Sequence, residues 1–422
     1  MRYKQICLAA VMACGVPVAA RAQDNVTIPR AEWEKFMKEH EEMKRSLQEM
    51  RDFKSKIETA GTNGVGPLAA TELEATREMA RKSLPGTDKM LLSGYGTAGY
   101  TSLNHQDQYF SAQFNPILLW KISDKLLFEG ELEMELEDGE TSLALELAQL
   151  SYVVNDYITF GAGKFLNPMN SFVERYHMGW VNRLPDKPLA VYDGLLPETY
   201  VGAQVRGGVP ICRTKLNYAA FIANAPKLLT DPTEDGQGML EWDNFSNEGD
   251  HLAYGGHVGF QPFPELEIGY GLHFSEVGPK GAHGVDALLQ SVDASYVRDS
   301  EKLKGTIRLN AQWVWSNVDR FTYLDEADNP FTFSNNRDGG YAQFAYRPSH
   351  VDWTCLRNFE GVFRYDILNQ SKTPENFDEQ RFTVGLNYWL TPMTVFKAAY
   401  QFDDKSAGQN NSGVLLQFAT GF

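Results

Sequence analysis

Thr394-Val-Phe-Lys-Ala-Ala-Tyr-Gln-Phe-Asp403 decides how the rest of the chain is read. Phe396, Ala398, Tyr400 and Phe402 fall on one face, and Lys397, Ala399, Gln401 and Asp403 on the other. After the turn-forming stretch from Lys405 to Asn411 the pattern resumes. Val414, Leu416, Phe418, Thr420 and the terminal Phe422 then oppose Leu415, Gln417, Ala419 and Gly421. Period two is strand geometry, because successive side chains of an extended backbone point to opposite sides. Soluble sandwiches and closed membrane sheets share this alternation, so the choice between them rests on the remainder of the chain.

Residues 1–22 carry the marks of a secretory signal peptide. Arg2 and Lys4 form a charged start, Ile6 to Val18 is a short apolar stretch, and Ala20-Arg21-Ala22 is a small-x-small cleavage pattern. A lipoprotein cleavage at Cys14 is the alternative, and Met12 fits it poorly. Losing Arg2, Lys4 and Arg21 takes the formal net charge from -16 to -19. So acidic a chain is no nucleic-acid partner. Cys7 and Cys14 leave with the signal, and Cys212 and Cys355 remain. Both fall in turns on distant parts of the sheet, so free thiols are expected even in a compartment that permits disulfides. No apolar run of helix-spanning length follows the signal, and a membrane location therefore requires a closed sheet. A strand that ends in Phe on its apolar face resembles the terminal signature of bacterial outer-membrane barrels. That resemblance implies recognition of Phe422 by the barrel assembly machinery; the alternative is a soluble edge strand.

Residues 23–60 read as a coiled-coil stalk. Trp33, Phe36, His40, Met43, Leu47, Met50, Lys54 and Ile57 recur at spacings of three and four among charged residues. Such a seam buries little without a facing chain, which points to a homotrimer, to peptidoglycan as a further partner, or to a lone solvated helix. Residues 61–88 are a linker, with a joint at Gly61–Pro67 and a short helix from Thr71 to Leu84.

From residue 89 to 422 the texture becomes aromatic-rich and alternating. About sixteen segments are expected: 90–101, 109–121, 125–137, 143–154, 157–165, 198–207, 213–224, 252–261, 265–276, 285–298, 302–317, 340–347, 359–369, 380–390, 393–403 and 412–422. Short connections alternate with longer excursions at about 166–197, 225–251 and 318–339. This is the arrangement of a transmembrane β-barrel of about 16 antiparallel strands in outer-membrane lipid. An even strand number puts both ends of the sheet on the short-turn side, the periplasm, where the stalk would project. Tyr95, Tyr100, Trp120, Tyr152, Tyr157, Trp313, Trp315 and Tyr388 suit interfacial girdles.

The sharpest constellation is Leu126–Glu137, where Glu129, Glu131, Glu133, Glu135 and Glu137 share one face. Carboxylates at alternate positions sit about 7 Å apart. They form an acidic rail on a pore wall, or are neutralised by bases opposite. Arg206, Lys304, Arg308, Arg364, Arg381 and Lys397 are the candidate pore-lining bases on other strands.

Gly163-Lys-Phe-Leu-Asn-Pro168 leads into the first long loop. This run resembles the phosphate-selective porin O and P family, over roughly residues 90–422. The resemblance implies passive solute diffusion, frequent trimers, and an early loop folded inward as a constriction. It makes Lys164, Glu174, Arg175, His177, Arg183, Asp186 and Lys187 constriction candidates, with an external cap as the alternative. The glutamate rail departs from an anion-attracting lumen.

No Gly-x-Ser-x-Gly run, zinc-spaced Cys/His cluster or twelve-residue calcium loop is present, so neither an enzyme nor a metal or cofactor is expected. Two functions follow from the sequence: a porin for small hydrophilic solutes or ions, or a tethering barrel whose coiled coil links it to the cell wall or to other subunits.

Overall fold

The computed structural model describes residues 89–422 except 138–139, 193, 233–235, 243–250, 283 and 371–377. The signal, the stalk and the linker lie outside the described residues. In chain order the elements are β1 (Met90–Leu103), β2 (Tyr109–Lys121), β3 (Leu126–Glu137), β4 (Glu140–Asn155), β5 (Ile158–Leu166), α1 (Ser171–Tyr176), β6 (Thr199–Ile211), β7 (Thr214–Asn224), β8 (Lys227–Leu228), β9 (Leu240–Glu241), β10 (Leu252–Phe263), β11 (Leu266–Glu276), β12 (Asp286–Ser300), β13 (Gly305–Val318), β14 (Tyr323–Leu324), β15 (Pro330–Phe331), β16 (Asn335–Arg347), α2 (Thr354–Arg357), β17 (Phe359–Asn369), β18 (Glu379–Thr391), β19 (Thr394–Lys405) and β20 (Gly413–Gly421).

Sixteen of these strands close into one antiparallel barrel in sequence order, while β8–β9 and β14–β15 form two small ribbons. Closure joins β1 to β20 from Tyr95↔Gly421 to Leu103↔Gly413. Phe422 extends the seam: its N–H donates to Gly94 O at 3.0 Å, and Gly94 N–H donates to Phe422 O at 3.2 Å. Closing the sheet satisfies every edge, which a strand array in hydrocarbon requires.

Turns on one end are tight and stabilised by side chains, except the 348–358 connection that carries α2. Asn155 Oδ1, for instance, accepts from the amides of Tyr157 and Ile158 at 2.9 and 3.0 Å, an Asx geometry that reverses the chain in two residues. Cys212 and Cys355 lie at this end, free and exposed.

Parity separates the two faces of the wall. On β19, Phe396, Tyr400 and Phe402 are exposed outward, whereas Lys397, Gln401 and Asp403 are buried inside. On β17, Phe363 and Tyr365 are outside, and Glu360, Arg364 and Asp366 inside. Exposed apolar and buried polar side chains invert the pattern of a soluble sandwich. Only an apolar solvent outside makes this arrangement favourable.

Two expectations are corrected. Tyr95, placed in a girdle by composition, faces inward and accepts a 2.8 Å hydrogen bond from Asn115 Nδ2; it shares the inner parity of Thr97 on β1. Lys304, expected on the lumen wall, occupies the turn before β13 at φ 51° and is exposed, because its N–H closes onto Glu301 O at 3.2 Å and the strand starts one residue later. One boundary also moves. Asn335–Gly339 read as loop by composition, yet Asn335 to Asp338 pair with Val318 to Trp315 of β13. The partner strand supplies the hydrogen bonds that local propensity does not.

Candidate functional site

The segment 167–198 between β5 and β6 folds into the barrel. Its neck is closed by Asn167, whose N–H donates to Glu198 O at 2.8 Å and whose Nδ2 donates to Pro197 O at 2.9 Å. Asn170 caps α1 by accepting from Val173 N–H at 3.2 Å. Gly163 starts the approach at φ +119°, and a Cβ there would stand 2.1 Å from Ala148 O, so the Gly of the Gly-Lys-Phe run is sterically required.

One half of this loop is apolar. Met169, Phe172, Val173, Val191 and Leu196 are almost fully buried against Leu147, Phe221, Leu289, Val314 and Tyr341 of the inner wall. Each such burial contributes about 1.5–3 kcal/mol. Polar contacts then fix the register. Gln312 Nε2 and Ser291 Oγ both donate to Met169 O, at 2.8 and 3.1 Å. Arg175 meets Glu267 at 2.6 Å, Tyr176 OH lies 2.8 Å from Ser295 Oγ, and Arg206 pairs with Glu174.

The other half, 179–189, is held by charge. Arg364 is fully buried; it donates to Asp366 at 2.8 Å and to the carbonyls of Asp186 and Lys187 at 3.0 and 3.1 Å, and it pairs with the Asp186 carboxylate. Arg381 joins the same network, 2.7 Å from Glu379 and 3.4 Å from Asp403. Lys397 Nζ donates to Gly179 O at 2.5 Å and to Gln417 Oε1 at 2.7 Å. Nearer the short-turn end, Arg183 lies 3.7 Å from Glu360 and 4.7 Å over the Trp389 ring. Arg308 reaches Glu360 at 3.4 Å, and Trp389 Nε1 donates to it at 2.8 Å. His177 is buried with Nδ1 against Val173 O, and burial pushes its imidazole down to about 4.

A cavity of about 630 Å³ lies between the loop and the wall formed by β18–β20 and β1–β6. Glu133 and Glu135 line it, as do Lys164, Asp186, Lys187 and Arg381. Glu131, deeper in the wall, accepts from Asn115 Nδ2 at 3.3 Å. Glu129 is half-buried on the same strand, and the Glu137 side chain lies outside the described set. Arg206, Arg308 and Lys397 point inward but are engaged with the loop or with Glu360.

Sequence reasoning missed Glu146. The pairing of β3 with β4 slips between Glu131↔Leu147 and Leu132↔Leu145, and this bulge turns Glu146 into the cavity beside Glu133. The clue was present, since the apolar alternation Leu143, Leu145, Leu147 changes phase before it resumes at Leu150 and Tyr152. The partners Glu360, Asp366, Glu379 and Asp403 were also missed. They read as ordinary polar-face residues until the loop brings arginines to some of them.

No family model matches this chain, and no curated protein matches it by sequence. Solved structures do match the fold. Salmonella typhi OmpF, determined with daunomycin, superposes at TM-score 0.52 with 11% identity over 79% of this chain and 97% of that one. In-vitro folded OmpT, an outer membrane protein of Vibrio cholerae, gives TM-score 0.50 and 12% identity over 81% and 100%. The fold is that of the outer-membrane porins. An anion-selective porin from Comamonas acidovorans also aligns, at TM-score 0.49 and 13% identity over 79% of this chain and 99% of that one. At such identities the likeness extends to the fold and stops there.

Proposed function

We propose that this chain is a passive outer-membrane channel for small hydrophilic solutes or ions, located in a Gram-negative bacterium with its amino-terminal segment in the periplasm. The observation that carries this reading is the inward loop, which fills one side of a closed barrel and leaves a charged cavity along the other. A packed core would fill the lumen; this one is divided. Five carboxylates (Glu133, Glu135, Glu146, Asp186 and Glu198) and three bases (Lys164, Lys187 and Arg381) border the open part, an excess of acid that favours cations. Phosphate selectivity, implied by the Gly163–Pro168 resemblance, sits poorly with that balance.

The remaining parts of the proposal are a homotrimer organised by the residue 23–60 stalk, and assembly through recognition of Phe422. The tethering alternative, with peptidoglycan as partner, rests on the same stalk. Planar-bilayer recording decides between channel and tether: the channel gives steady open currents in KCl, and a plugged tether gives none. Changing Glu131, Glu133 and Glu135 to Gln moves the reversal potential in a KCl gradient toward anion permeability. An unchanged reversal potential refutes the role of the rail.

A further inference from the structure

The channel reading leaves open what the cavity prefers. Three observations bear on it. First, setting aside Arg381, committed to Glu379 and Asp403, and Asp186, committed to Arg364, its border carries four carboxylates (Glu133, Glu135, Glu146 and Glu198) against two bases (Lys164 and Lys187). Second, Lys187 Nζ lies 3.4 Å from the centroid of the Tyr192 ring, and both residues line the cavity. An ammonium centred over an aromatic face is held by the ring quadrupole, so the loop contains its own tethered example of that complex. Third, Trp242 adds a second aromatic surface to the lining.

We infer that this cavity is a binding station for organic ammonium solutes, in which a solute amine takes the place of Lys187 over Tyr192 while Glu133, Glu135 and Glu146 balance its charge. The cavity volume falls in the range that encloses a small organic molecule. An inorganic cation would gain from the carboxylates alone. An organic ammonium gains from the carboxylates and from the ring. Such a station slows transit and raises local concentration, converting a general cation preference into a chemical one.

The inference rests on the channel reading for its setting, so the test separates the two. Full-length protein in detergent is titrated by calorimetry with phenethylammonium chloride, and with sodium phenylacetate as the control of similar shape and opposite charge. The same protein is recorded in planar bilayers in KCl. Phenethylammonium binds at least tenfold more tightly than phenylacetate and interrupts the KCl current. Tyr192→Leu weakens amine binding by roughly threefold to thirtyfold, the range of one cation–π contact. Lys187→Gln tightens it, because the tethered competitor is gone. Misfolding cannot imitate a gain, so this variant keeps the test decisive if Tyr192→Leu fails to fold. Equal affinity for amine and carboxylate, or weaker binding in Lys187→Gln, overturns the inference. KCl current without amine binding leaves the channel standing and removes the station; amine binding without current does the reverse.

Discussion

Replacing Arg364 with Met removes the centre of the latch on the charged half of the loop. The wild-type guanidinium is fully buried and serves two carboxylates and two carbonyls. Without it Asp186 and Asp366 face each other across a desolvated gap, and breaking a buried pair in this way costs roughly 3–5 kcal/mol. Opposing that loss, Phe172, Val173, Val191 and Leu196 are almost fully buried, together contributing on the order of 6–12 kcal/mol at about 1.5–3 kcal/mol each. The apolar half therefore stays docked. Within residues 183–189, Glu360, Asn387 and Lys397 still hold Arg183 and Leu184, while the stretch 185–189 that Arg364 anchors detaches locally. Hydrogen–deuterium exchange should accelerate in a peptide covering 183–189 and not in one covering 171–176, and single-channel conductance should rise. Adding Asp186→Asn removes the repulsion and restores part of the protection. Unchanged exchange, equal acceleration of both peptides, or failure of the second substitution to rescue would refute the division of the loop into an apolar and an ionic half.

Gly163→Ala combines a positive φ with a Cβ 2.1 Å from Ala148 O, and it should destabilise the folded barrel by at least 1–3 kcal/mol; Gly361→Ala, whose Cβ meets nothing within 4 Å, is the neutral control in the same thermal unfolding assay. His177 has its folded pKa lowered to about 4 by burial, against 6.5 in solution. The neutral ring thus contributes fully above about pH 6.5, and docking loses about 3 kcal/mol as pH falls to about 4. Exchange of the 171–182 segment should rise with acid, and His177→Gln should flatten that dependence. Cys212 and Cys355, exposed at the short-turn end, should resist a membrane-impermeant maleimide in intact cells and react once the outer membrane is permeabilised; labelling of intact cells would reverse the proposed orientation.

Much of the wall was legible in the sequence because period-two alternation is a local property. The strand from Phe359 to Asn369 matches residue for residue, and that of β2 likewise. The common face of Glu129, Glu131, Glu133 and Glu135 on β3 was legible for the same reason, since parity along one strand fixes which side chains share a face. What the chain did not disclose locally was the company those faces keep. Leu147, Phe221, Leu289, Val314 and Tyr341 are apolar on the inner face, and they look like interruptions until the loop covers them. Arg364 and Arg381 were visible as inward bases, but their engagement depends on a loop and on neighbouring strands remote in sequence. Lys304 failed because one residue of turn geometry decides whether a side chain belongs to a wall or to a bend.

The slipped pairing on β4 has one more effect. By sending two successive side chains inward, it gives Leu147 to the oily packing and Glu146 to the charged cavity, so a single peptide bond forms the shoreline between the apolar and the polar side of the interior. Deleting one residue there would restore even pleating and erase that boundary. The interior would then be redrawn while the outer surface above and below kept its shape.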